Sequence, residues 1–575
     1  MARETLVRDP YEPRTPFWLR HEDYVWAGAV FVATVALTVC AFPPFKAPEF
    51  AYVFAAPAIF WAYRRPRLKL FTWTLFAAQA LAWTILLGWL RHVTVVGLLL
   101  LGPFIGAWVG FWYLAAWWAM PRMWSRSVPV RMAIQLGLAG LWVVIEWSRT
   151  WVLGGFPWLV LAASQWQRPV ILQIAASTGA GGVSFVLMAM NVGFAAYAHR
   201  LFFEGREGPA GQGGGSSVLQ DGFSLLRKRS QEFWTAVFLL LACLCVFLVQ
   251  VQPFARSAYS QPLARVAFVQ PYIPQSVKWD PAHAPGILAT LKTLTLSAGA
   301  SSPDLILWPE ASTPWEVKDD ANMKGFVESL STGAHAPILL GSIAVETKGN
   351  RESWFNGAFV VTPDLGLQHS YYAKRHLVPF GEYVPLGPVL GWISKFVPVG
   401  ADATPGDDAS PLLVSLPAGS TAFGVLICFE DIYPRLARES VLTGADVLFV
   451  PTNDAWYGEE GAASQHAAHS VLRAVETRRP VLRCGNGGWS GWIDEFGVIR
   501  LPVENGNGTV YFRGTETVAV TRDSRWLGRN SFYVQHGDWF VLVCAALALF
   551  GWAVLGARKA GTQVHPLRDE PRPGP

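Results

Sequence analysis

The chain has 575 residues, of which 52% are hydrophobic and only 15% are charged, against about 25% charged residues in ordinary soluble proteins. The excess of apolar residues lies in the first half and near the C-terminus, so these parts are expected to meet lipid. The formal net charge of +5 is small for this length, and the basic residues are spread among short loops. No nucleic-acid partner is therefore expected.

Eight apolar segments are predicted to cross the membrane, because a spanning helix needs roughly 20 mostly apolar residues. They cover residues 25–42, 50–63, 70–90, 93–120, 132–147, 170–197, 233–251 and 539–555. The second and fifth segments are short, which also allows a tilted or re-entrant helix. Seven helices form a predicted membrane domain over residues 25–252, with a flexible Gly/Ser-rich loop near 201–232. The eighth is a C-terminal helix at 538–556.

The basic residues between these segments predict the orientation. With the N-terminus inside, the cytoplasmic segments carry 20 lysines and arginines, whereas the short loops on the other side carry 4. Positive charge is retained on the cytoplasmic side. Residues 1–24, the loop near 201–232 and a disordered, proline-rich tail at 557–575 are therefore predicted to be cytoplasmic, and residues 262–535 to form a domain on the opposite side.

Residues 262–535 alternate short apolar runs with polar helical segments. The predicted strands are residues 266–270, 305–308, 338–343, 358–362, 424–428, 447–451 and 481–484. The predicted helices are residues 284–297, 322–330, 436–442 and 462–477. Strands interleaved with helices predict an α/β layered domain.

Three side chains at strand ends predict acyl-transfer chemistry. Cys428 ends one apolar strand, Glu310 ends another, and Lys374 follows two tyrosines. A thiol needs help to become a nucleophile at neutral pH, because its ordinary pKa is near 8.5. A carboxylate can accept its proton, and an ammonium can stabilise the thiolate and an oxyanion.

Each residue also has an ordinary structural interpretation. A cysteine that ends a strand can be inert core, and Cys428 could instead form a disulfide with Cys484 outside the cytoplasm. Glu310 and Lys374 could be solvated surface residues. His466 and His469 are spaced as on one helix face, but no third ligand accompanies them, so a surface or supporting role is expected and no metal site.

The motifs around these residues resemble the Glu-Lys-Cys set of the nitrilase (carbon-nitrogen hydrolase) superfamily. These are WPE at 308–310, Lys374 with LVPFGEYVP at 377–385, and CFED at 428–431. Further motifs resemble the membrane-bound branch of that superfamily, the apolipoprotein N-acyltransferase family. They are GFPW at 155–158, IPQSVKW at 273–279, TNDAWYG at 452–458 and FYVQHGDW at 532–539.

The resemblance implies an αββα sandwich on an eight-helix membrane domain in the bacterial cytoplasmic membrane, with the sandwich on the periplasmic side and no cofactor. The acyl donor would be a phospholipid such as phosphatidylethanolamine. The acceptor would be the α-amino group of the diacylglyceryl-modified N-terminal cysteine of an apolipoprotein. The residues and roles that it implies are Cys428 as the thioester, Glu310 as the general base, Lys374 as the oxyanion cation, Glu382 and Glu430 as supporting carboxylates, and Trp279 and Trp456 along the lipid or acceptor path.

Two departures and two alternatives accompany this resemblance. Phe429 stands where the family often has tyrosine, and Cys484 with an extra glycine alters the segment 483–488. A membrane-tethered amidase or nitrilase would use the same triad with water as the acceptor. A transporter or lipid-binding scaffold would carry charged residues along its spans and lose members of the triad, whereas all three are present.

Overall fold

The computed structural model describes residues 22–203, 230–251, 253–348, 351–383 and 403–556. The N-terminal segment before residue 22, most of the loop near 201–232 and the tail at 557–575 lie outside the described residues. The α-helices are α1 (Glu22–Ala41), α2 (Ala56–Tyr63), α3 (Leu68–Leu86), α4 (Val95–Met123), α5 (Val128–Ser148), α6 (Pro169–Leu172), α7 (Ala175–Thr178), α8 (Ala180–Phe203), α9 (Gln231–Val251), α10 (Pro253–Tyr259), α11 (Ala284–Gly299), α12 (Ala321–Ala334), α13 (Pro434–Leu442), α14 (Ala462–Thr477), α15 (Phe532–His536) and α16 (Trp539–Gly556). The strands are β1 (Ser260–Gln270), β2 (Leu305–Leu307), β3 (Ile338–Lys348), β4 (Arg351–Thr362), β5 (Gly366–Ala373), β6 (Leu412–Leu416), β7 (Gly419–Val425), β8 (Val447–Thr452), β9 (Val481–Gly485), β10 (Gly491–Ile493), β11 (Ile499–Pro502) and β12 (Gly514–Asp523).

Each predicted span overlaps at least one helix of the structure. Within the described part of the chain, six helices are long and apolar enough to cross a membrane: α1, α4, α5, α8, α9 and α16. The other two predicted spans fall on α3, which has 19 residues, and α2, which has 8. The sixth prediction began too early, because the short helices α6 and α7 precede α8.

The second predicted span is interrupted because the chain passes from a 3-10 turn at Pro48–Tyr52 into α2. The break leaves backbone groups without hydrogen-bond partners inside a helix. The side chain of Asn191, on α8, provides two such partners. Its Oδ1 accepts from the Ala55 N–H and its Nδ2 donates to the Ala51 carbonyl, both at 2.8 Å. A neighbouring helix thus satisfies backbone groups that lipid cannot.

The C-terminal helix α16 packs closely on α5. Gly140 lies so near that a Cβ there would be 2.5 Å from the Cys544 carbonyl oxygen, and Gly137 lies beside Gly551 in the same way. Small residues allow two membrane helices to approach each other. The helix that follows the α/β domain therefore returns to the helical domain at the N-terminal side of the chain.

The α/β domain contains two six-stranded sheets. The first has the order β12-β1-β2-β3-β4-β5, and the second has the order β11-β10-β9-β8-β7-β6. In each sheet the central strands are parallel, namely β1, β2 and β3 in the first and β7, β8 and β9 in the second. The carboxyl ends of parallel strands meet at one edge, which is where the candidate site lies.

The two sheets pack face to face between layers of helices. Apolar residues of both sheets, such as Phe268 and Phe449, form the core between them. Helices α11 and α12 cover the first sheet. Helices α13 and α14 cover the second sheet and share a core with the membrane helices. The αββα sandwich implied by the resemblance is confirmed, with α14 between sheet and membrane domain.

Candidate active site

Cys428 stands at a sharp turn after β7. The sequence pattern predicted a strand through Cys428, but β7 ends at Val425 and Cys428 begins a 3-10 turn that runs to Ile432. The φ of Cys428 is 53°, in a left-handed region that residues other than glycine rarely adopt. The residue is only 4% exposed. The turn therefore holds a buried thiol at the carboxyl edge of the sheet.

Glu310 and Lys374 converge on this thiol. Glu310 lies three residues beyond β2, and Lys374 directly follows β5. The Lys374 ammonium is 3.4 Å from Glu310 Oε1 and 2.9 Å from Glu382 Oε1. Glu310 and the Cys428 thiol also lie close enough for each to shift the pKa of the other. The structure thus brings together the three residues that sequence analysis selected.

Neighbouring charges oppose the effect of burial on the pKa values of Glu310 and Lys374. Burial raises the pKa of Cys428, and the Glu310 carboxylate raises it further. Burial would also raise the pKa of Glu310, but the positive charges of Lys374 and Lys278 outweigh burial and lower it. Burial would lower the pKa of Lys374, but Glu382 and Glu310 hold it above its usual value. The resting state is a protonated thiol beside a carboxylate and an ammonium.

Asn356, on β4, joins the two carboxylates and was missed by sequence analysis. Its Nδ2 donates to Glu310 Oε1 at 2.8 Å and to Glu382 Oε1 at 3.1 Å. Glu382 also accepts from the Val378 N–H at 2.8 Å. An amide within the aromatic and apolar stretch 354–361 of β4 was its only sequence signal. We call Cys428, Glu310, Lys374, Glu382 and Asn356 the reactive cluster.

Glu430 holds two segments of backbone together. Its Oε2 accepts from the Ile427 N–H at 2.7 Å and from the Tyr372 hydroxyl at 2.8 Å. Its Oε1 accepts from the N–H groups of Arg375 and His376 at 2.6 and 3.0 Å. These four donors occupy the acceptor capacity of a carboxylate. Glu430 therefore ties the cysteine turn to the segment after β5.

A second buried lysine lies next to the predicted Trp279. Lys278 donates from Nζ to the backbone carbonyl of Glu310 at 3.1 Å. Burial lowers the pKa of Lys278 to about 8, although Glu310 and Cys428 act in the opposite direction. Trp279 is 46% exposed, with its ring 5.7 Å from the Lys278 ammonium. Sequence analysis missed Lys278, although it adjoins Trp279 in the same motif.

Aromatic residues of both domains meet beside the cysteine turn. Trp456 lies half-buried in a 3-10 turn after β8. The Phe429 ring packs 6.0 Å from Phe156 of the membrane domain and 5.5 Å from Tyr433. The Tyr433 hydroxyl donates to the Gly155 carbonyl at 2.8 Å. Phe429, where the family often has tyrosine, is therefore a packing contact to the membrane-domain loop.

Four fully buried ionic side chains, which we call the buried quartet, support the same turn: Asp431, Asp454, His466 and Arg483. Arg483 lies 2.8 Å from Asp431 Oδ2 and 3.4 Å from Asp454 Oδ2. His466 Nδ1 is 2.9 Å from Asp454 Oδ1, and its Nε2 is 3.0 Å from Asp431 Oδ1. The Nε2 atom also lies 3.1 Å from the backbone carbonyl oxygen of Cys428.

The two histidines of α14 are buried, which excludes the surface role and leaves the supporting role of the two that were expected. Both ring nitrogens of His466 face acceptors, which requires the imidazolium form. Burial and Arg483 would lower the pKa of His466, but Asp431 and Asp454 outweigh them and raise it. Burial lowers the pKa of His469 to about 3, so His469 is neutral.

Cys428 and Cys484 are both free thiols, which excludes the disulfide considered from the sequence. Cys484 lies in β9 and is buried between the two sheets. Its thiol donates to the carbonyls of Leu307 at 3.3 Å and Val269 at 3.5 Å. Cys484 therefore bridges the sheets within the core.

Comparison with known proteins covers both parts of the chain. Residues 35–193 match the apolipoprotein N-acyltransferase N-terminal domain, and residues 265–532 match the carbon-nitrogen hydrolase family. An apolipoprotein N-acyltransferase of Geobacter metallireducens is 32% identical over 73% of this chain and 74% of its own length. One of Pseudomonas putida is 31% identical over 81% of this chain and 83% of its own length.

Among solved structures, an amidase from Nesterenkonia sp. AN1 in complex with acrylamide superposes with a TM-score of 0.35 at 15% identity, covering 47% of this chain and 95% of the amidase. A Saccharomyces cerevisiae member of branch 10 of the nitrilase superfamily superposes with a TM-score of 0.33 at 19% identity, covering 48% of this chain and 94% of that protein.

Proposed function

The chain belongs to the apolipoprotein N-acyltransferase family, and on this premise we propose that it transfers a fatty acyl chain from a membrane phospholipid, through a thioester on Cys428, to the α-amino group of the diacylglyceryl-cysteine at the N-terminus of an apolipoprotein. The observation that carries the proposal is the convergence of the Glu310 carboxylate and the Lys374 ammonium on one buried thiol. Acyl exchange between an ester and an amine divides into two easier steps through a covalent intermediate.

In the first step, Cys428 Sγ attacks the ester carbonyl of the phospholipid while Glu310 takes the thiol proton. The raised pKa of Cys428 supports this order, because a thiol that stays protonated at rest needs a base at the moment of attack. Lys374 stabilises the negative charge on the tetrahedral oxygen. The C–O bond then breaks, and the proton on Glu310 passes to the departing lysophospholipid oxygen.

In the second step, the neutral α-amino group of the apolipoprotein attacks the thioester carbonyl. Glu310 takes one proton from the attacking nitrogen, the C–S bond breaks, and the proton returns to the Cys428 thiolate. Glu310 thus serves as base and acid in turn in both steps. The amide from Asn356 and the neighbouring Glu382 support this exchange, because they hold Glu310 and Lys374 in fixed positions.

The exposed Trp279 and the half-buried Trp456 are proposed to line the path of lipid or acceptor. Their different exposures suit a path that begins at solvent and leads to the thiol. Phe156 and Phe429 extend the aromatic surface toward the membrane domain. This surface supports a membrane lipid as the acyl donor, and we propose phosphatidylethanolamine on the basis of the family resemblance.

The α/β domain is proposed to lie on the periplasmic side of the bacterial cytoplasmic membrane. The excess of 20 cytoplasmic lysines and arginines over 4 supports this orientation. A membrane-impermeant thiol reagent applied to intact spheroplasts should label a Lys318→Cys variant and leave Ser217→Cys and Thr562→Cys unlabelled. Protection of Lys318→Cys would overturn the orientation.

Intact mass spectrometry tests the thioester directly. Purified protein incubated with phosphatidylethanolamine should gain the mass of one acyl group, which hydroxylamine removes. Cys484→Ala is the matched control and should still gain the adduct, whereas Cys428→Ala should not. An adduct that persists in Cys428→Ala would assign the thioester to another residue.

The same acyl-enzyme, formed from phosphatidylethanolamine with a labelled acyl chain, identifies the acceptor. Adding a diacylglyceryl-cysteine lipopeptide should move the acyl label to the peptide amine. Release of the label as free fatty acid at the same rate with and without lipopeptide would instead indicate a hydrolase.

A further inference from the structure

Helix α14 lies between the cysteine turn and the membrane domain. Every residue from Ala462 to Thr477 except Ser464 is buried. The side chains of α14 therefore pack against both the membrane helices and the second sheet. Two consecutive residues near its start, Gln465 and His466, make polar contacts in these two directions.

Gln465 is fixed entirely by the membrane domain. Its Oε1 accepts from the indole N–H groups of Trp89 and Trp158 at 3.0 and 2.9 Å. Its Nε2 donates to the carbonyls of Pro43 and Leu86 at 2.9 and 3.0 Å. The amide thus uses all four of its hydrogen-bonding positions. Residues from three separate parts of the membrane domain hold this point of α14.

His466 is fixed by the buried quartet and holds the backbone of Cys428. Its Nε2 donates to the Cys428 carbonyl, and Asp454 holds its Nδ1. The Trp158 ring, which donates to Gln465, also lies 5.2 Å from the His466 ring. Because Cys428 has a positive φ, an external hydrogen bond to its carbonyl helps to keep that peptide in its strained orientation.

We propose that Gln465 and His466 are positioning residues through which the membrane domain holds Cys428 in its attacking orientation. The proposal rests on the proposed function only in taking Cys428 as the nucleophile. The membrane domain fixes α14 through Gln465, and His466 transmits that position to the carbonyl of Cys428. A nucleophile misplaced by about 1 Å can lose ~10²-fold in rate, so the contact bears directly on thioester formation.

Two variants of His466 with the same change in charge test the second contact. The amide nitrogen of glutamine occupies the place of Nε2, whereas that of asparagine occupies the place of Nδ1. His466→Gln therefore keeps a donor to Cys428, and His466→Asn keeps only the donor to Asp454. In single-turnover thioester formation at saturating phosphatidylethanolamine, His466→Gln should be about 10-fold faster than His466→Asn, with an unchanged KM for the lipid.

Gln465→Met tests the first contact, with Gln173→Met as the matched control. Gln173 is also buried and also joins the domains, because its Nε2 donates to the Phe496 carbonyl at 2.9 Å and its Oε1 accepts from Arg478 at 2.8 Å. Arg478 follows α14 at the end opposite His466. Gln465→Met should slow thioester formation about 10-fold, and Gln173→Met should stay within about twofold, although both lower the thermal unfolding temperature.

Equal rates for His466→Gln and His466→Asn, or equal slowing by Gln465→Met and Gln173→Met, would overturn the proposal. If neither His466 variant folds, the comparison of Gln465→Met with Gln173→Met decides. Absence of a thioester on Cys428 in the wild-type protein would instead overturn the proposed function, so the two failures are distinguishable.

Discussion

The reactive cluster and the buried quartet both contact Cys428, but through different atoms. Glu310 of the reactive cluster interacts with the thiol, whereas His466 of the quartet interacts with the backbone carbonyl. The side chains of Glu310 and Glu382 are 9% and 19% exposed, whereas the quartet side chains are at most 1% exposed. The carboxylates of the reactive cluster are therefore more open to solvent than the quartet.

The charges of the reactive cluster are those proposed to take part in the reaction, whereas the charges of the quartet support the cysteine turn. In the quartet, two cations face two carboxylates, so its four formal charges cancel without substrate. In the reactive cluster, the contacts of Glu310 with Lys374 and Asn356 both go to Oε1, at 3.4 and 2.8 Å. A base that must exchange protons needs its second oxygen available for the proton. Substitutions in the two groups should therefore have different effects on rate and on stability.

The largest loss of rate is expected for Glu310→Gln. A neutral amide accepts no proton, and the Cys428 thiol has a raised pKa, so thioester formation should fall by ~10²–10⁴-fold. Glu382→Gln is the matched control and should lose far less, because its carboxylate contacts Lys374 and not the thiol. Single-turnover adduct formation measures both. Normal adduct formation in Glu310→Gln would remove it as the base.

Lys374→Met should come next, with a loss of about 10²–10³-fold from the missing oxyanion cation. Lys374→Arg should retain more activity than Lys374→Met, because it keeps the positive charge, but less than wild type, because a planar guanidinium cannot occupy the same point. The ratio of kcat values at saturating phospholipid tests this order. A Lys374→Arg variant no better than Lys374→Met would show that shape, and not charge, is what matters.

A substitution in the quartet should act on stability more than on rate. Asp454→Asn leaves Arg483 and His466 with one carboxylate between them in a fully buried place, and breaking a buried ion pair costs about 3–5 kcal/mol. The thermal unfolding temperature, followed by tryptophan fluorescence, should fall clearly below that of Glu382→Gln. Equal unfolding temperatures for these two variants would contradict the division between the clusters.

The same division explains which elements sequence analysis found. Helix α14 was predicted with its observed bounds, and buried strands such as β8 were found because they are continuous apolar runs. Strands β5, β6, β10, β11 and β12 were missed. In β5 and β12 exposed and buried residues mix, so their composition resembles loops. The strand ending at Cys428 was drawn too long because apolarity does not report a positive φ.

The site shows a similar limit. The triad residues were selected because each lies at a strand end or in the loop beside one, and the ends of β2, β5 and β7 meet although they belong to two different sheets. Asn356 is 46 residues from Glu310, and Gln465 is 376 residues from Trp89. Nothing local marks such contacts, because each depends on how separate domains and strands pack. The quartet carboxylates lay within recognised motifs, but their partner His466 was assigned a surface or supporting role.

A smaller effect is expected at the proposed substrate path. Trp279→Ala and Trp456→Ala should form the acyl-enzyme normally and pass the acyl group to the lipopeptide about 10-fold more slowly, because they would disturb acceptor placement and not the triad. Trp315→Ala is the control, since Trp315 is 44% exposed and Trp279 is 46% exposed. Slowed adduct formation with normal discharge would place the tryptophans on the donor path.

The smallest effect is a shift in pH dependence on replacing Lys278. Glu310 must be ionised to take the thiol proton, so thioester formation falls as pH decreases through the pKa of Glu310. The positive charge of Lys278 helps to lower that pKa, and Lys278→Met should therefore move the acidic limb to higher pH. At higher pH, where Glu310 is ionised in both proteins, the two rate profiles should converge. Lys318→Met, which removes a lysine paired with Glu346 at the surface, should leave the limb in place. An acidic limb that Lys278→Met leaves unmoved would show that Lys278 does not act on the charge of Glu310.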